Sequence, residues 1–95
     1  MLDKLAAVAN RYEEICARSE QPDFYADPKK AAALLREKND LEPIVEAYHS
    51  YHGALQEMQD ALELMADPEM KDFCQETYQA AKEKSEELYR QLQIL

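Results

Sequence analysis

Two Asp-Pro dipeptides, Asp27-Pro28 and Asp67-Pro68, cut the chain into three runs and constrain its fold more than any other feature. Aspartate accepts hydrogen bonds from the open N–H groups of a helix's first turn. Proline suits the first helical position, where its missing N–H is not needed. Each pair therefore reads as a helix start. The runs on either side carry apolar residues at three- and four-residue steps, the spacing of one helical face. Leu2, Leu5, Val8, Tyr12, Ile15 and Cys16 make the first face, and Ala32, Leu35 and Leu41 open the second. From Leu41 the pattern continues as Ile44, Tyr48, Tyr51, Leu55, Met58, Leu62 and Met65, a heptad seam. Met70, Cys74, Tyr78, Ala81, Ser85, Leu88, Leu92 and Leu95 form another, expected to pack against it.

Composition supports the same reading. One glycine in 95 residues, with Ala, Leu, Glu, Lys and Gln prominent, argues against a turn-rich β fold and for helix throughout. The length fits a single domain, residues 1–95. The spacing predicts helices over about 2–18, 28–65 and 68–94, with a loop over about 19–26. The short turn at Ala66-Asp67 makes the last two helices antiparallel. Pro43 falls inside the middle run, where it removes a backbone donor and disfavours helical geometry at Glu42. A kink or break is expected near residues 40–43, with Asn39 or Asp40 capping a restart. Gly53 weakens its helix and invites close approach by another. The expected fold is all-α: an elongated antiparallel three-helix bundle, its middle helix kinked or broken near Pro43. The last run reaches Leu95 with no Gly, Asn or Pro to stop it, which reads as a piece of a longer protein.

Twenty acidic and eleven basic residues give a net charge of −9. Such a surface repels phosphate backbones and argues against direct nucleic-acid binding. It keeps a small helical domain in solution, and it also suits a basic protein partner. Cys16 and Cys74 lack metal-site spacing and lie in apolar stripes, as reduced thiols of a cytoplasmic protein do. No apolar run is long enough to span a membrane, and the first residues are too polar for a signal peptide.

Little here could carry chemistry. His49 and His52 are three apart, with Glu46 and Glu57 nearby, but zinc takes three or four ligands and nothing else completes a set. They read as surface histidines beside a core stripe. Carboxylate pairs such as Glu13-Glu14 and Glu86-Glu87 carry no specificity among twenty acids. Ser85 lies in a helix without the turn that exposes a nucleophile. No catalytic, metal or cofactor residue is expected. In the first loop, Phe24 and Tyr25 either staple the loop to the helices or present an aromatic tip to a partner.

The stretch "DPEMKDFCQETYQAAKEKSEELYRQLQ" (67–93), with "MLDKLAAVANRYEEI" (1–15) and "LREKNDLEPIVEAY" (35–48), resembles the N-terminal helical region of the bacterial class I peptide chain release factors. The Asp-Pro-Glu-Met start at 67–70 and the run at 81–86 are closer to release factor 1 than to release factor 2, and the resemblance covers the chain in order. It implies a part of a translation termination factor that reads stop codons and triggers hydrolysis of peptidyl-tRNA. That family's Gly-Gly-Gln motif and codon-reading tripeptide are not in these residues, so no reactive residue carries over. The implied partner is the ribosome, at the large-subunit stalk base around ribosomal protein L11, with the domain seating the factor. Residue chemistry by itself leaves two other classes open. One is a free-standing acidic helical adaptor or coiled-coil dimerisation module; the other is a helical metal site.

Overall fold

A computed structural model describes residues 2–94. Its order is α1 (Leu2–Ser19), a 3-10 turn (Phe24–Ala26), α2 (Pro28–Leu64) and α3 (Lys71–Ile94). The fold is all-α, with no strand among the described residues. It forms two compact units divided between Glu46 and Ala47, so α2 contributes to both.

The two Asp-Pro pairs act differently. At the first, Asp27 Oδ1 accepts from Lys30 N at 3.2 Å and its carbonyl accepts from Ala31 N at 3.0 Å, so α2 starts at Pro28 as expected. At the second, Asp67 Oδ1 accepts from Glu69 N at 3.0 Å, two residues on rather than three. Met70 N then donates to the Asp67 carbonyl at 3.0 Å, closing a tight turn. The first four-residue helical bond near this turn is Cys74 N to the Met70 carbonyl, at 2.9 Å. Hence α3 begins at Lys71 and not at residue 68. A side chain that satisfies the N–H two positions along favours a turn, and the helix proper is displaced by that turn.

Pro43 does not break α2, which is continuous from Pro28 to Leu64, so the expected restart at Asn39 or Asp40 does not occur. Both Pro43 and Asn39, whose carbonyl loses its donor, are exposed, and water can replace the missing bond.

In the first unit the core is Leu5, Ala9, Ile15, Phe24, Ala31 and Val45, with Ile15 only 1% exposed. Val8, Tyr12, Cys16, Leu34, Leu35 and Leu41 are half-buried around them. Leu2 lies outside the core and Ala31 takes the position expected of Ala32.

The second unit pairs the later part of α2 with α3. Met58 meets Ser85 at 3.7 Å, and the Tyr51 and Tyr89 rings are 5.9 Å apart. Position runs backwards along one helix as it runs forwards along the other, so the pair is antiparallel. On α3, Cys74, Ala81, Ser85 and Leu92 are buried and Tyr78 and Leu88 half-buried, as the spacing predicts. Leu95 lies outside the described residues. On α2 the seam differs from expectation. Ala54 and Ala61 are 1% and 2% exposed, whereas Leu62 is 50% exposed and Leu55 also faces water. The seam is Ala47, Tyr51, Ala54, Met58, Ala61 and Met65, with alanine every seventh residue. Opposite it stand Cys74, Ala81 and Ser85, also small. Small side chains on both helices permit a close approach that leucines in the seam would prevent. Gly53 has no part in this, because a Cβ added there would meet nothing within 4 Å.

Candidate partner-contact surface

The loop between α1 and α2 is a chain of tight turns. Ser19 Oγ donates to the Cys16 carbonyl at 2.7 Å, Phe24 N to the Gln21 carbonyl at 3.1 Å, and Ala26 N to the Asp23 carbonyl at 3.0 Å. These turns send Phe24 inward, 8% exposed, and Tyr25 outward, 66% exposed. Their rings meet edge to face with centroids 4.8 Å apart. The edge of one ring rests on the other, a favourable aromatic contact at the surface. Beside them Arg18, Asp23, Asp27 and Lys30 rim a shallow hollow, two charges of each sign. An exposed aromatic ring such as Tyr25, one residue from the lining of that hollow, can dock on a protein surface. It offers no nucleophile or proton donor held against a partner.

Arg11 clasps Glu37 across α1 and α2 through two bonds, Nε to Oε2 at 2.6 Å and a terminal guanidinium nitrogen to Oε1 at 2.9 Å. Hydrogen bonding from Arg11 holds the Glu37 carboxyl below its ordinary range, and Glu37 in turn raises the Arg11 guanidinium. Burial, then the charge of Glu42, raises the Tyr12 phenol. No sequence pattern flagged this clasp, because its partners stand 26 residues apart.

His49 and His52 are both exposed, and the His52 ring stands edge-on to Tyr48 at 4.6 Å. Among the described residues no group of three or more His, Cys, Asp and Glu could hold a metal ion. The Ser85 hydroxyl donates to the Lys82 carbonyl at 2.7 Å, inside the seam. No helix among the described residues is long and apolar enough to cross a membrane.

Leu55 and Leu62, which the heptad spacing assigns to the seam, stand instead on an exposed flank of α2. The signal that could have found it is the recurrence of alanine at 47, 54 and 61.

Comparison with known proteins gives one family. The PCRF domain matches residues 8–95. The chain is 36% identical to peptide chain release factor 1 of Agathobacter rectalis, over the whole chain and 27% of that protein. It is 34% identical to the release factor 1 of Geobacter sulfurreducens and 34% to that of Bacillus licheniformis, over 27% and 28% of those proteins. The chain thus spans just over a quarter of the length of these relatives. No solved structure matches it. With the match running through all three helices, the chain belongs to the PCRF domain family.

Proposed function

We infer that this chain acts as the N-terminal helical domain of a release factor 1, seating the factor on the ribosome near the large-subunit stalk base. The rest of the factor would then direct stop-codon-dependent hydrolysis of peptidyl-tRNA. The observation that carries the reading is similarity to release factor 1 proteins over the full chain, in the same family as the domain match. Two features support a seating role. The net charge of −9 suits basic ribosomal proteins rather than bare RNA. Tyr25, exposed on the first loop beside Phe24, offers an aromatic contact. On this reading the domain contributes binding, and the chemistry falls to other parts of the factor.

The test is a chimera in which these residues replace the matching segment of the Geobacter sulfurreducens release factor 1, beside a form lacking the segment. Deletion should raise the KM for stop-programmed ribosomes by roughly tenfold or more, with kcat little changed, because only binding common to ground and transition state is lost. The chimera should recover most of the loss, and Tyr25→Ala within it should give part of it back. Loss of the chemical step at saturating deleted factor, or a chimera no better than the deletion, would overturn the reading.

A further inference from the structure

At the turn between α2 and α3 the second unit leaves two large apolar side chains in water. Leu64 is 52% exposed and Phe73 64%. Leu64 stands one residue before the seam residue Met65, and Phe73 one before Cys74. The helices are antiparallel, so residues just before the seam share one flank. On that flank Phe73 is followed by Thr77 and Ala80, both uncharged, and the Thr77 hydroxyl is taken up by the Phe73 carbonyl at 3.1 Å. Leu64 is preceded there by Asp60. Apolar and small side chains thus lie beside an acidic edge. Farther from the turn the flank carries Glu57 and Lys84, whose charges cancel.

The charge around this patch defines what can cover it. Residues 57–76 hold seven carboxylates against one base, Lys71, which is −6 of the chain's net −9. All seven are exposed. The ion pairs among the described residues engage Glu14, Glu37 and Glu87 instead. Gln56 and Gln59 donate to Asp60 at 2.9 Å and Glu63 at 3.3 Å, but an amide leaves the charge unbalanced. A second copy of the chain would bring the same charge to the patch and be repelled, as would nucleic acid or an anionic membrane.

We propose that this end of the second unit docks a basic amphipathic helix of another protein. Apolar side chains of that helix cover Phe73 and Leu64, and its Lys and Arg residues meet Asp60 and the carboxylates of the turn. The patch from Phe73 to Ala80 spans two turns, about 11 Å, so it takes one or two apolar anchors and binds weakly. Tyr25 belongs to the other unit, and the proposal does not depend on the seating role.

Fluorescence anisotropy of a labelled, amidated peptide tests this on the chain alone. The probe has about 15 residues, lysine throughout except for leucine at three- and four-residue steps. A Kd on the order of 100 µM is expected at about 0.05 M salt, weakening several-fold at about 0.5 M. Phe73→Ser should weaken binding roughly tenfold with helicity retained, as loss of a central aromatic anchor does. Leu55→Ser, on the opposite flank, should leave it unchanged. Asp60→Lys and Glu20→Lys change the net charge equally, and Asp60→Lys should weaken binding several-fold more than Glu20→Lys. The same peptide composition, reordered so that the leucines share no face, should bind roughly tenfold more weakly. Absence of binding at about 1 mM peptide, well above the Kd range argued here, would overturn the proposal. So would binding indifferent to Phe73→Ser, equal effects of Asp60→Lys and Glu20→Lys, or a chain that self-associates through Phe73.

Discussion

Gly53 shows how a residue that looks purposeful in sequence can be dispensable in structure. It lies within α2, is exposed, has no positive φ, and has open space where a side chain would be. Its backbone freedom in the unfolded chain is therefore a pure cost. Gly53→Ala should stabilise the protein by about 0.5–1 kcal/mol, raising the thermal midpoint in a calorimetric scan. A fall would mean the helix is distorted there. Pro43 is the converse case, a residue that sequence rules place at a break and that α2 tolerates because its lost bond faces water.

At the scale of elements, the decisive feature is the small-residue seam between α2 and α3. Its alanines fix how near the helices come, and close packing leaves no room for a larger side chain. Ala61→Leu should destabilise by about 1–3 kcal/mol through overpacking. Leu55→Gln, one residue past a seam position, should stay within about 0.5 kcal/mol in dilute protein, as surface changes do. Chemical denaturation of both variants decides it. Equal losses would return the leucines to the core. The same element explains why α2 lacks a single apolar stripe: Ala31 and Val45 serve one unit, Ala54 and Ala61 the other.

Charge acts on the molecule as a whole. Arg11 hydrogen bonding lowers the Glu37 carboxyl from its ordinary value of 4.5, and Arg90 does the same for Glu87. A carboxyl depressed in the folded state contributes stability at pH above its unfolded value, and that contribution is lost as pH falls through the folded one. Thermal midpoints should therefore decline as pH drops below 4.5, and the Glu37→Gln variant should show a shallower decline. Parallel curves for variant and parent would count against a clasp that persists in solution. Both pairs are exposed, so salt should reduce the difference.

How much of this was legible in sequence divides along one physical line. Helix type, helix number and the start of α2 depend on local bonds, and local bonds are written in short stretches such as Asp27-Pro28; at Asp67-Pro68 the same signal yields a turn, and α3 starts only at Lys71. The seam of α3 was legible too, because its apolar spacing had no competitor. On α2, two heptad stripes run side by side, one of alanines and one of leucines, and hydrophobicity by itself favours the leucines. Which stripe is buried depends on how close the neighbouring helix comes, and that distance is set by Cys74, Ala81 and Ser85 on another element. The Arg11–Glu37 clasp and the division of Phe24 inward from Tyr25 outward, two residues that the sequence treats alike, are of the same kind. They exist only once separate segments have met, so they belong to the tertiary structure and could not be read from the residues around them.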